Sequence, residues 1–130
     1  MKEPIAVNEY YELYIDRDKN RAYMAFKGYW ANLDVVPNIE KDLLLVPKKL
    51  QQEYTSLLDI REFKTPGPDV MGKFLEIQKE NAKYGIKKAA RIVTQPLEKL
   101  AADRVGKAAD IKEKLAFFNS PEKAEVWLDK

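Results

Sequence analysis

The stretch Tyr54-Thr55-Ser56-Leu57-Leu58-Asp59-Ile60 decides the fold class of this chain. It is rich in aromatic, β-branched and other large apolar residues, which favour a β-strand. Successive side chains of a strand point to opposite faces, so the neighbouring Leu57 and Leu58 put apolar groups on both faces. A strand with two apolar faces is typical of a parallel sheet, because helices cover both sides of such a sheet.

Helical patterns flank this strand on both sides. Residues 39–50 carry apolar side chains at helical spacing, and Pro47 is expected to kink or split that helix. After the rigid turn at residues 65–68, Asp69 is in place to cap a second helix, which Gly85 is in place to end. Strands that alternate with helices predict parallel pairing of the strands.

The remaining segments continue the alternation. Residues 89–93 predict a further strand, and Thr94 or Gln95 then opens a helix with proline at its first position. Residues 115–118 predict the last strand. The sequence Ser120-Pro121-Glu122 predicts the start of a final helix, because it supplies a cap, a first-turn proline and a first-turn acid.

The amino-terminal part predicts a β-hairpin. Apolar and polar residues alternate over residues 11–16 and again over 21–27, with turn-forming residues between them and Gly28 after them. The expected fold is therefore α/β: a mixed, mostly parallel sheet of about five strands, with an antiparallel edge hairpin and about four helices. We expect residues 1–130 to form a single domain.

The amino-acid composition excludes several classes of catalytic and metal-binding site. The chain has no cysteine and no histidine, which excludes disulfides, thiolate or imidazole metal ligands, and cysteine–histidine or serine–histidine catalysis. Carboxylate chemistry at Asp59 or Glu62 is the weakest alternative, since the sequence shows no nucleophile–base pair. We therefore expect no enzymatic activity and no cofactor.

The charges are nearly balanced, with 23 Lys and Arg against 21 Asp and Glu, for a net charge of +2. This balance does not predict nucleic-acid binding. No stretch is apolar for long enough to span a membrane, and the amino end has no apolar signal region. A cytoplasmic location is the expectation.

The order of the predicted elements resembles the STAS fold (sulfate transporter and anti-sigma factor antagonist), and most closely its SpoIIAA-like branch of small bacterial proteins. Three stretches carry the likeness. They are the hairpin over residues 11–28, the strand Leu57-Leu58-Asp59-Ile60 with its following loop and helix, and residues 89–94 together with 117–128. The resemblance covers most of the chain.

The resemblance implies a regulatory, signalling or protein-interaction module. Many members of the family carry a serine or threonine at the start of the helix after the third strand, and its phosphorylation by a partner kinase controls binding. Here Thr65 is the only hydroxyl residue of the corresponding loop, and it lies earlier than the family's serine.

We expect a protein partner to dock where the loops after two neighbouring strands meet, because ligands of open α/β sheets bind at the carboxyl ends of strands. A helix amino terminus in this position favours anions. The residues of this predicted partner- or ligand-binding edge are Arg61, Lys64, Thr65, Asp69, Thr94 and Gln95.

Two other interactions stay open. The alternative function is a carrier of a small apolar ligand or lipid, held in a cavity of several hundred cubic ångströms between helices and sheet. A filled core would instead favour the docking module. Separately, Tyr14 and Tyr23 share one face of the hairpin. They are either an association surface for a homodimer or an ordinary cross-strand pair.

Overall fold

The computed structural model describes residues 1–94 and 112–130. Their six strands form one sheet in which each strand pairs with its neighbours in sequence. The first three strands pair antiparallel, and the third to sixth pair parallel. The strands are β1 (Lys2–Val7), β2 (Tyr11–Asp16), β3 (Arg21–Gly28), β4 (Tyr54–Phe63), β5 (Ile86–Ile92) and β6 (Leu115–Phe118).

Three α-helices cover the sheet in the described part of the chain. Helices α1 (Ile39–Lys48) and α2 (Pro68–Ala82) lie on one face and contact each other. Helix α3 (Pro121–Asp129) lies on the opposite face, over β4, β5 and β6. The predicted α/β class and mixed sheet are thus confirmed. The helix expected after Thr94 or Gln95 falls outside the described residues.

Strand β1 is an element that sequence analysis missed. It pairs with β2, so the antiparallel part of the sheet has three strands instead of a two-stranded hairpin. The strand lies at the edge and is mostly exposed, and its register shifts between Pro4 and Ala6. An exposed, irregular strand lacks the alternation of apolar residues on which prediction depends, and an edge strand tolerates proline.

Helix α1 is not split at Pro47, because this proline lies in the last turn of the helix. Proline has no N–H to donate to the carbonyl oxygen four residues earlier, which belongs to Leu43. That oxygen accepts a hydrogen bond from Nδ2 of Asn81 instead, at 3.2 Å. A side chain of α2 therefore supplies the donor that α1 lacks, and it joins the two helices.

The two faces of the sheet bury different groups. On the side of α1 and α2, Leu13, Ile15, Leu58 and Val70 belong to the largest apolar cluster. On the other side, a smaller cluster joins strands β4 and β5 to α3; its buried members are Leu57, Ala90, Ile92, Ala124 and Leu128. The adjacent Leu57 and Leu58 thus enter opposite cores, as their sequence predicts.

A buried arginine fastens α3 to the sheet. Arg21 donates from Nε to Oγ1 of Thr55 at 2.8 Å. Its terminal nitrogens pair with Glu125 at 2.8 Å and with Asp129 at 3.0 Å. The Arg21 side chain is only 4% exposed, so these bonds replace its hydration.

We expect Arg21→Met to lower the free energy of unfolding by about 1–3 kcal/mol, because it removes two ion pairs between sheet and helix and one hydrogen bond within the sheet. Urea unfolding measures this loss. Arg17→Met is the matched control, since Arg17 forms an exposed ion pair with Glu3 worth less than about 1 kcal/mol. Equal losses in the two variants would contradict the anchoring role of Arg21.

Candidate functional site

A cavity of about 110 Å³ lies between the sheet and helices α1 and α2. Strands β3, β4 and β5 form its floor, and the two helices form its roof. Most of the surface that lines it is apolar. Protein interiors are normally packed without voids of this size, so the cavity is the strongest candidate for a binding site in the described chain.

One end of the cavity is aromatic. Phe26 and Phe74 stack with their ring centres 5.4 Å apart, and Phe63 meets Phe26 edge-on at 5.5 Å. The ring of Trp30 packs behind them, and its centre lies 4.9 Å from the ring centre of Phe26 and 4.7 Å from that of Phe63. Its indole nitrogen donates to the carbonyl oxygen of Lys27 at 2.9 Å. The four rings contact one another, and Phe26, Phe63 and Phe74 form the wall at this end of the cavity.

Polar groups line other parts of the same cavity. Arg91 is 4% exposed, yet its guanidinium makes one long hydrogen bond, 3.4 Å from Nη1 to the carbonyl oxygen of Ala90. Within residues 1–94 and 112–130, no carboxylate forms a salt bridge with it. Burial lowers the pKa of Arg91 to about 10, so the group is still a cation at neutral pH.

Tyr54 and Asn81 add two neutral polar groups. Tyr54 is 4% exposed, and burial raises the pKa of its phenol to about 12. Asn81 donates to Leu43, and this leaves its Oδ1 atom buried with no hydrogen-bond partner in the described structure. The cavity therefore offers a cation, a phenol and a free acceptor in an apolar setting.

The mouth of the cavity is the loop between β4 and α2. Lys64 and Thr65 are exposed at its rim, and Pro66 is buried behind them. Backbone hydrogen bonds hold this loop against the end of β3 and the segment that follows it: the N–H of Lys64 donates to the carbonyl oxygen of Gly28 at 2.9 Å, and that of Gly67 donates to the carbonyl oxygen of Trp30 at 3.0 Å. Two of the predicted site residues, Lys64 and Thr65, thus line the cavity.

The other predicted edge residues lie elsewhere. Arg61 makes two bonds to the carboxylate of Asp59, at 2.6 and 3.0 Å. Asp69 lies in the first turn of α2 and not at its cap, which is Gly67, and it accepts from the backbone N–H of Leu33 at 3.1 Å. Thr94 is exposed after β5, and Gln95 lies outside the described residues.

Tyr14 and Tyr23 are directly paired across β2 and β3, as the hairpin register predicts. They line an open groove of about 370 Å³ on the face that α3 covers only in part. Both side chains are half-buried, and the ammonium of Lys2 lies 4.1 Å from the Tyr23 ring centre. Burial and a hydrogen bond to Glu125 raise the pKa of Tyr23 to about 12.

Sequence analysis did not select Arg91, Tyr54 or Asn81. A signal exists for Arg91, because it is a cation inside a strand whose neighbours are alanine and isoleucine. The sequence gives no indication that Asn81 belongs to a site, because it is one polar residue among many near the end of a predicted helix. Its role depends on Pro47, which is distant in sequence and adjacent only in the fold.

Comparison with models of protein families, with curated proteins and with solved structures finds no match to this chain. The resemblance to the STAS fold stays a prediction. Within the described residues, no helix is both long enough and apolar enough to cross a bilayer.

We expect Gly67→Ala to destabilise the fold by about 1–3 kcal/mol, because a Cβ at this position collides with the carbonyl oxygen of Ala31. Gly72→Ala is the matched control, at an exposed position of helix α2 where a Cβ meets open space. That change is expected to stabilise the protein by about 0.5–1 kcal/mol. Thermal unfolding separates the two, and a stable Gly67→Ala variant would show that the mouth tolerates movement.

Tyr54 predicts an alkaline loss of stability. Its folded-state pKa is raised from 10.0 to about 12, so its contribution is complete below pH 10 and is lost as the pH rises toward 12. We expect the free energy of unfolding, measured with urea, to fall between pH 10 and about 12 in the wild-type protein. In Tyr54→Phe it should fall less steeply over the same range. Tyr29→Phe, at an exposed position, is the control. If both variants reduced the pH dependence of the unfolding free energy equally, the alkaline loss of stability could not be assigned to Tyr54.

Proposed function

We propose that this protein is a non-enzymatic binding protein for a small, largely apolar ligand. The observation that supports this function is the cavity between the sheet and helices α1 and α2, with its aromatic end and its few polar groups. Binding sites for small molecules have this composition: mostly apolar walls and a small number of placed polar groups. A cytoplasmic location is part of the proposal and keeps the standing of an expectation from the sequence.

The size of the cavity limits the ligand. At about 110 Å³ it is smaller than the several hundred cubic ångströms expected of a lipid carrier. It is close to an engineered apolar cavity of about 150 Å³ that binds benzene. The proposed ligand is therefore the size of one aromatic ring or a short chain, and not a long-chain lipid.

The cost of an empty cavity supports the same function. The apolar side chains that line an empty cavity lack packing partners on one side and lose the corresponding van der Waals contacts. Single substitutions such as Ala22→Leu can fill such a space. A bound ligand would explain why this space is not filled by a larger side chain. The ligand restores the missing packing contacts, and its binding stabilises the folded state.

Docking of a protein partner, with regulation of the STAS kind, ranks second. Its predicted edge needs free charged groups, yet Arg61 is bonded to Asp59 and Asp69 is bonded to Leu33. Lys64 and Thr65 remain exposed there, but they also line the mouth of the cavity. Homodimerisation through Tyr14 and Tyr23 remains a prediction from the sequence.

Benzene tests the proposed function, because it matches the cavity and has no polar group. We expect it to raise the thermal unfolding temperature, with a stabilisation of about 1.4 kcal/mol at ten times its Kd. Ala22→Leu should abolish this shift, since Ala22 is buried on the floor of the cavity. Differential scanning calorimetry with and without benzene gives both results.

Ala25→Leu is the matched control for this experiment. Ala25 lies on the same strand but lines the groove on the opposite face of the sheet. The shift caused by benzene should survive in that variant. A wild-type protein whose unfolding temperature does not respond to benzene, or equal loss in both variants, would overturn the proposed function.

A further inference from the structure

We propose that the ligand of the cavity is a small amphipathic carboxylate, whose anionic group pairs with the guanidinium of Arg91 and whose apolar body lies against Phe26, Phe63 and Phe74. This inference rests on the proposed function. It adds to that function the chemical class of the ligand and the residue that recognises it.

The first step of the argument is the missing partner of Arg91. Buried arginines are normally paired, because removing an ion from water costs several kcal/mol. Arg21 in the same protein follows this rule, with Glu125 and Asp129 as partners. Arg91 is equally buried, but it has one weak bond to a carbonyl oxygen and no carboxylate partner in the described residues. Its charge is therefore available to an anion inside the cavity.

The described residues that line the cavity beside Arg91 do not compensate for its charge. The phenol of Tyr54 is neutral at physiological pH, as for any tyrosine, and burial raises its pKa further, to about 12. Ser56 and Asn81, which line the same cavity, carry no charge. The nearest other cation along the wall is Lys64, which is exposed at the mouth. An anion that enters the cavity thus meets one buried positive charge.

A single buried cation favours a monoanion. The guanidinium matches a carboxylate with two parallel hydrogen bonds. A phosphate monoester carries close to two negative charges at neutral pH, so a second charge would remain unpaired in an apolar cavity. The small volume and the aromatic end restrict the remainder of the ligand to one ring or a short chain.

Benzoate and benzamide form the test pair, because they share a ring and a planar head group but differ in charge. We expect wild-type protein to bind benzoate about tenfold to a hundredfold more tightly than benzamide in isothermal titration calorimetry at neutral pH. Phenyl phosphate should bind more weakly than benzoate. Equal affinity for benzoate and benzamide, or tighter binding of phenyl phosphate, would overturn the carboxylate assignment.

Arg91→Met tests the residue. The variant should lose the preference for benzoate and still bind benzene, because methionine keeps the apolar bulk and removes the charge. Lys79→Met is the matched control: it removes a cation at an exposed position of α2, outside the cavity lining, and should keep the preference. A preference for benzoate that survives in Arg91→Met, or disappears in Lys79→Met, would overturn the assignment of recognition to Arg91.

A measurement on the unaltered protein guards against a variant that fails to fold. In nuclear magnetic resonance spectra of wild-type protein, benzoate should shift the Nε–H signal of Arg91, and benzamide should not. An unmoved signal at saturating benzoate overturns this inference. If benzene also fails to bind, the proposed function fails with it; if benzene binds, only the carboxylate inference fails.

Discussion

Strand β4 is hydrogen-bonded on both edges and buried on both faces, and the helices and the cavity take their positions from it. It pairs with β3 on one side and with β5 on the other, in both cases parallel. Parallel neighbours need crossover connections, and these bring α1 and α2 across one face of the sheet. Leu58 then packs under those helices, and Leu57 packs under α3.

The cavity lies between β4 and the two helices above it, and contacts at its edges fix the positions of those helices. At one end, stacked rings of Phe26 and Phe74 fill the space between sheet and helix. Elsewhere in the wall, Pro47 cannot bond to the carbonyl of Leu43, and Asn81 replaces that bond from α2. The aromatic contacts and the hydrogen bond between helices support the roof, so a space remains above β3, β4 and β5.

Two arginines are buried in the part of the chain that the structure describes, and their surroundings differ. Arg21 is surrounded by acceptors and holds α3 on the sheet, so its charge serves the fold. Arg91 lies in the cavity on the other face, with its charge uncompensated by any described carboxylate. A buried charge that lacks a partner lowers stability. A group in such a setting is a candidate for a functional role, because functional sites use burial to tune charged groups.

Local sequence pattern was enough to predict the α/β class, strands β2 to β6 and the start of α3. The signals involved each extend over a few residues: period-two alternation, adjacent apolar residues such as Leu57 and Leu58, and the Ser120 cap. Strand β1 was missed because an exposed edge strand carries no such pattern. The site depends on groups far apart in sequence: Arg91 lines the same cavity as Phe26, and Asn81 bonds to Leu43. Which polar groups meet, and which of them keep a free hydrogen-bonding atom, is set when the chain packs, because burial and pairing are properties of the folded molecule.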